Sequence, residues 1–306
     1  MIYTVTLNPA IDVVLKLNDA CRVGKINRAN KELISAGGKG INVSRVLKTL
    51  KRDSIALGLV GGLTGDLIEN DLKQANIKTD FVRIKGGITR INVKLNRNGS
   101  IFEETQINAP GPDIDREDII NLAKKLAKIK KGDIVIISGG LPKTLSLSLF
   151  DNFVKYISSH DAYVVVDTFG SPLLKIIRYK PFLVSLNDEE LADTLYTQIK
   201  TDDDCIKGAK RLLKMGALNV VVMRGEAGAI LVNNEMTMKV KGIKCEERNA
   251  VGAGDSLLAG LTDEYLKTSS FDLALKKGVI VATATVMSDG LANEKDIAEL
   301  VKKYMK

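Results

Sequence analysis

The chain has 306 residues, 45% hydrophobic and 27% charged, which suits a globular protein with one large core or two modest ones. Its formal net charge is +8, but aromatic residues make up only 5% and the lysines are scattered (Lys124, Lys125, Lys128, Lys130 and Lys131, then Lys207, Lys210 and Lys214), so no stacking platform accompanies the charge and nucleic acid is not the expected partner. A single histidine, His160, and three dispersed cysteines, Cys21, Cys205 and Cys245, exclude a histidine-based metal site or triad and suit a reducing cytoplasm, and no run of about 18 apolar residues offers a membrane span.

Met1–Leu7 reads as a first strand and not as a signal peptide, because it has no basic leading region. Residues 12–35 alternate apolar and polar side chains. Ala36-Gly37-Gly38-Lys39-Gly40-Ile41-Asn42-Val43 then leads into a helical pattern through Val46, Leu47 and Leu50. A strand at Ile55–Leu59 precedes a helix near Asp66–Ala75. Residues 87–107 alternate again: Arg90–Leu95 is a strand, Asn96–Ser100 a turn, and Ile101–Ile107 the returning strand. From there apolar strands and helices succeed one another: Asp133–Ile137 before a helix at Leu147–Ser158, then Tyr163–Asp167, Phe182–Ser185 and Asn219–Met223. Continuous runs such as Ile134-Val135-Ile136-Ile137 and Val164-Val165-Val166 are what parallel strands buried on both faces require. The expected fold class is therefore α/β: one domain over 1–306, a central sheet covered by helices on both faces, with the two alternating segments inserted as a small β-sheet lid. One lid face is apolar and calls for a partner, most simply a second copy of the chain.

Two glycine clusters carry the chemistry. Asn249-Ala250-Val251-Gly252-Ala253-Gly254-Asp255-Ser256 places small residues directly before an acid and a helical pattern through Leu257, Leu258, Leu261 and Tyr265. Small residues let backbone N–H groups approach a ligand, and the helix start adds its positive dipole end. An anion hole with a carboxylate at its rim suits a base that takes the proton from a hydroxyl attacking phosphorus. The plainer reading is a glycine-rich turn capping a helix. The cluster at Gly37–Asn42 adds the point charge of Lys39 and an amide able to bind sugar hydroxyls; it is not a Walker loop.

Together the clusters resemble the ribokinase-like sugar kinases, the phosphofructokinase B family, over residues 1 to about 300. Its Gly-Gly-x-Gly-x-Asn element is met by Gly37, Gly38, Gly40 and Asn42, and its Gly-Ala-Gly-Asp element by Gly252–Asp255. The resemblance implies Asp255 as the base, with the backbone of Gly252, Ala253 and Gly254 stabilising the transferring phosphoryl group. It implies that Asp12, at the end of Leu7-Asn8-Pro9-Ala10-Ile11-Asp12, binds sugar hydroxyls with Asn42, while Gly38, Lys39, Arg90 and Ser138 complete the substrate side. Gly61-Gly62-Leu63-Thr64-Gly65-Asp66 resembles the loop after the second main strand. Arg90, on a strand resembling members that act on sugar phosphates, suits the existing phosphate through a bidentate fork, whereas Lys94 on the same strand face reads as an exposed lysine. Asn187-Asp188-Glu189-Glu190 resembles the element that organises Mg2+ and phosphate, with Glu190 acting through water; taken alone it is an N-capped acidic first turn. Gly225 and Gly228 resemble the nucleotide-side turn. The implied cofactors are ATP and Mg2+.

The chain departs from the family pattern at Ser185-Leu186, where Lys-Pro is usual, at Met223 in place of Ser or Thr, and at Gly140 in place of Ser. Asn249-Ala250 replaces a potassium-linked Asp-Thr. Arg224 is the candidate substitute for the missing lysine as a phosphate contact. Thr89–Lys94 and Glu104–Gly111 look closest to members that phosphorylate fructose 1-phosphate, with tagatose 6-phosphate as the alternative acceptor and a non-catalytic sugar-phosphate sensor as the alternative of another kind.

Overall fold

Val135 and Ile137 pack into one buried cluster and Ile134 and Ile136 into another. The same split recurs at Val164 and Val166 against Val165, and at Val220 and Val222 against Val221. Successive strand residues point to opposite faces, so these apolar runs bury a sheet on both sides. The structure, a computed structural model, describes residues 1–97 and 104–305.

The chain begins with β1 (Ile2–Thr6), β2 (Ala10–Leu17), β3 (Ala29–Gly37), α1 (Lys39–Thr49), β4 (Ile55–Val60), α2 (Gly62–Gln74), β5 (Lys78–Thr79) and β6 (Val82–Arg83). It continues through β7 (Arg90–Arg97), β8 (Glu104–Asn108), α3 (Arg116–Lys125), β9 (Ile134–Ser138), α4 (Leu147–Ser158), β10 (Tyr163–Asp167) and α5 (Gly170–Ile176). Then come β11 (Leu183–Asn187), α6 (Asp188–Leu195), α7 (Asp202–Met215), β12 (Asn219–Met223), β13 (Ala229–Asn233), β14 (Thr237–Val240), α8 (Ala253–Thr268), α9 (Phe271–Val286) and α10 (Glu294–Tyr304). The expected turn over 96–100 falls partly on β7 and otherwise outside the described residues. Of the returning strand expected over 101–107, residues 101–103 also lie outside them.

Among the described residues the main sheet has ten strands in the order β14-β13-β12-β11-β10-β9-β1-β4-β5, with β6 also pairing with β4. All of its pairings are parallel except those that join β13 to β12 and β14 to β13. Residues of α3, α4, α5, α6 and α7 complete the core on one face, and residues of α1, α8, α9 and α10 on the other. In α4 the buried positions Phe150, Phe153, Val154 and Ile157 follow helical spacing, and the Ser146 side chain caps the first turn by accepting from the Leu149 N–H. Truncating the buried Phe153 to alanine costs roughly 3–5 kcal/mol on the scale of such core cavities.

The second sheet, in the order β3-β2-β7-β8, stands apart as the lid. Its root is anchored where Ile11 and Ala36 pack with Ile68 and Leu72 of α2. Ile34, Ile91 and Ile107 are exposed on it. The pairings of Ile34 with Val13 and of Val13 and Ile107 with Val93 put the three isoleucines on one face, opposite the face of Asp12, Asn92 and Lys94.

Candidate active site

The carboxyl ends of β1, β9, β10, β11 and β12 open on a cleft of about 960 Å³ that is also walled by the lid and by the loop after β14. Open parallel sheets place their ligands at this edge.

Asp255 lies in the first turn of α8, 5% exposed, and accepts a hydrogen bond from Asn42 Nδ2 at 2.7 Å. Burial, and next the charge of Asp167, push its carboxyl up to about 7, against the opposing hydrogen bond from Asn42. Gly252 begins the helix in the left-handed region at φ 81°, and a Cβ there would lie 2.5 Å from Leu291 Cδ2. No side chain caps α8, so its leading N–H groups face the cleft without an acceptor inside the helix, except that the Ala253 N–H turns back to the Ala250 carbonyl at 3.2 Å. Met223 packs on Gly254, where an added Cβ would meet Cε at 2.9 Å. The atypical residue at the end of β12 thus forms an apolar floor under the glycine turn.

Lys39 opens α1 and is half-buried. Its Nζ donates to Asp167 Oδ1 at 3.1 Å and Glu190 Oε1 at 3.0 Å. Burial works against its charge, but the two carboxylates prevail and hold its pKa above the ordinary lysine value. Burial pushes the Asp167 carboxyl up, and the Lys39 charge opposes this. Lys39 therefore sits between acids at the end of β10 and in the first turn of α6 and does not stand free toward a substrate phosphate.

On the lid, the Arg90 guanidinium donates to the carbonyls of Asn8 at 3.0 Å and Ala109 at 3.3 Å, and its buried Nε has no partner. Burial lowers its pKa while Asp12 opposes the shift. Lys94 corrects the sequence reading: it is largely but not fully buried, paired with Asp12 at 2.9 Å, because the face of β7 that carries it forms the cleft wall. Ser138 lines the cleft at the end of β9, as do Gly38, Gly225 and Gly228.

Asn187 and Glu190 form a reciprocal cap at the start of α6: Asn187 Oδ1 accepts from the Glu190 N–H at 2.7 Å, and Glu190 Oε2 from the Asn187 N–H at 3.0 Å. This is the plain capping arrangement, with the other Glu190 oxygen turned to Lys39. No group of three or more His, Cys, Asp or Glu among the described residues is arranged to hold a metal directly. Mg2+ that arrives on a triphosphate keeps much of its water and needs no such cage, so Glu190 and Asp167 fit as acceptors for that water shell.

Arg224 is not brought into the cleft. It pairs with Asp202, donates to the Lys200 carbonyl at 3.2 Å and lies 3.8 Å from Asp188, which ties the end of β12 to the starts of α6 and α7. Its acidic neighbours therefore take the role expected for a phosphate. Asn249 likewise folds onto its own loop, with Oδ1 accepting from the Val251 N–H at 3.0 Å.

Sequence reasoning missed Asp167, although an acid ending the run Val164-Val165-Val166 was a usable signal at a parallel strand end. It also missed Asn8, Asn92, Gln106 and Asn108 on the lid side of the cleft, and Lys244, Cys245 and Glu247 in a loop without periodic pattern.

A helix-covered parallel sheet, an uncapped helix start beside a buried carboxylate and a cation-bearing lid define a ribokinase-like phosphotransferase acting on a small-molecule hydroxyl. The chain belongs to the pfkB family of carbohydrate kinases, whose profile matches residues 5–298. It is 38% identical over 301 residues to a 1-phosphofructokinase of Bacillus subtilis, covering 98% of this chain and 97% of the relative. To a D-tagatose-1-phosphate kinase of Bacillus licheniformis it is 32% identical over 295 residues, covering 96% and 95%. The phosphofructokinase-2 of Escherichia coli, solved with substrates and products, superposes with a TM-score of 0.93 at 26% identity, covering 100% of this chain and 99% of that one.

Proposed function

We propose that the protein transfers the γ-phosphoryl group of ATP to the free C6 hydroxyl of fructose 1-phosphate, giving ADP and fructose 1,6-bisphosphate. The observation that carries the chemistry is Asp255, buried with its carboxyl near neutrality beside the uncapped start of α8. In this reading Asp255 takes the proton of the C6 hydroxyl as its oxygen bonds to phosphorus, and the bond from phosphorus to the β-phosphate oxygen breaks. The N–H groups of Gly252 and Gly254 receive the charge that spreads over the transferring oxygens, and that of Ala253 joins them on leaving the Ala250 carbonyl. Arg90 receives the C1 phosphate with Lys39, which leaves Asp167 and Glu190 to do so; Gly38 and Ser138 line the substrate side. Asp12 orients the sugar, and Asn42 holds the base. Asn187, Gly225 and Gly228 form the triphosphate wall. Glu190 and Asp167 would hold Mg2+ through its water shell, and the ion would supply charge neutralisation on the phosphates.

The similarity to the 1-phosphofructokinase relative supports the choice of acceptor. The 32% identity to a tagatose-phosphate kinase supports a second reading in which a tagatose phosphate takes its place. The lid belongs to the same catalytic domain, spanning 1–306, and its three exposed isoleucines are covered by a second copy of the chain. No helix among the described residues is long and apolar enough to cross a membrane, and Cys21, Cys205 and Cys245 are all free, which supports a cytoplasmic setting.

An ADP-release assay with fructose 1-phosphate, fructose 6-phosphate and the tagatose 1- and 6-phosphates tests the reading. The highest kcat/KM is expected for fructose 1-phosphate. Preference for a tagatose phosphate selects the second reading, and thermal stabilisation by sugar phosphates without ATP turnover contradicts both in favour of a sensor.

A further inference from the structure

Strand β7 turns Arg90, Asn92 and Lys94 to the cleft along one face. The reading above gives Arg90 a phosphate; the other two side chains meet on Asp12. Asn92 Nδ2 donates to Asp12 Oδ1 at 2.9 Å and Lys94 Nζ to Oδ2 at 2.9 Å. The carboxylate also leans over β3 at Gly37, where a Cβ would lie 2.5 Å from Oδ2. The ion pair is largely removed from water, with Lys94 12% and Asp12 16% exposed, so its geometry is far better defined than that of a surface pair. Asn92 is 7% exposed and lines the cleft, and its Oδ1 has no hydrogen-bond partner. Buried acceptors are normally paired, and an unpaired one in a cleft wall is explained when a ligand brings the donor.

We propose that Asn92 and Lys94 set the stereochemical preference for the acceptor sugar. Lys94 is a positioning residue: it acts through Asp12, holding one carboxylate oxygen so that the other directions of the carboxylate meet the sugar. Asn92 holds the second oxygen and offers its own Oδ1 to the ring hydroxyl beside the one received by Asp12. The furanose ring of a ketohexose 1-phosphate carries adjacent free hydroxyls on C3 and C4. Asp12 and Asn92 read that pair together. An epimer inverted at C4 turns one hydroxyl away and leaves a buried acceptor unpaired, which is how hydrogen-bonding sites discriminate most strongly. The inference rests on the sugar-phosphate acceptor proposed above.

The test is kcat/KM at saturating ATP for fructose 1-phosphate and its C4 epimer, tagatose 1-phosphate. Asn92→Ala is expected to lower kcat/KM for fructose 1-phosphate by roughly 10–100-fold and to shrink the ratio between the epimers at least about fivefold. Lys94→Met raises the KM for sugar phosphate and leaves the KM for ATP unchanged, and Lys94→Arg restores most of the loss. An epimer ratio that survives in both Asn92→Ala and Lys94→Met, a matching loss of ATP affinity, or a wild type that treats the epimers alike overturns the proposal. If the wild type binds both sugars without transferring phosphate, the proposed activity has failed separately. The same ratio is then read as Kd by calorimetry, and the same outcomes decide.

Discussion

The Asn42 side-chain amide donates to Asp255 Oδ2 at 2.7 Å, joining the helix behind one glycine cluster to the helix behind the other across 213 residues of sequence. The contact opposes the rise in the Asp255 pKa caused by burial and by Asp167. A base with its pKa near 7 works only when deprotonated, so kcat/KM is expected to fall about tenfold per pH unit below that value and to level off above it. Asn42→Ala removes the opposing hydrogen bond and moves this limb to higher pH. Comparing the two profiles with one substrate cancels the titration of the substrate phosphate; coincident limbs would contradict the role given to Asn42.

Arg90 lines, from the lid, a cleft proposed to hold a phosphorylated sugar, with its planar guanidinium also held by the Asn8 and Ala109 carbonyls. Arg90→Lys keeps a charge but loses the fork, and is expected to raise the KM for sugar phosphate by about tenfold or more while leaving that for ATP unchanged. Steady-state kinetics in both substrates checks this.

Much of the fold is legible because burial leaves a direct trace in the sequence. Strands β9, β10 and β12 are continuous apolar runs since helices cover both faces, and α4 spans its expected Leu147–Ser158 because apolar spacing and a serine cap agree. The glycine clusters are legible because small residues next to an acid or a lysine have few other uses. What escaped depends on partners distant in sequence. Lys94 looks like any exposed strand lysine until Asp12, 82 residues away, is placed against it. Arg224 looks like a phosphate ligand until Asp202 is brought beside it. Asp167, at the end of β10, acquires meaning only when Lys39 reaches it from the start of α1.

The exposed isoleucines of the lid predict an assembly. Ile34→Asp places a charge on the apolar face that a second copy is proposed to cover, so the wild type is expected to sediment as a dimer and the variant as a monomer. A monomeric wild type at micromolar concentration would contradict the lid interface.

Asp255 also carries a stability cost. Its folded pKa of about 7 stands above the ordinary aspartate value of 3.8, so between these values the unfolded chain binds fewer protons and stability falls as pH rises. Asp255→Asn lacks this titration. Its Tm is expected to match that of the wild type near pH 4 and to exceed it by a growing margin up to pH 7. An equal Tm at pH 8 would show that the carboxylate is not held against its solvation.

Turnover by Asp255→Asn tests the central claim most directly. With ATP, Mg2+ and fructose 1-phosphate, the variant is expected to bind both substrates as the wild type does and to release ADP roughly 10²–10⁴-fold more slowly, the scale of a lost general base. Turnover within a few-fold of wild type would remove Asp255 from the chemistry and with it the mechanism built on the start of α8.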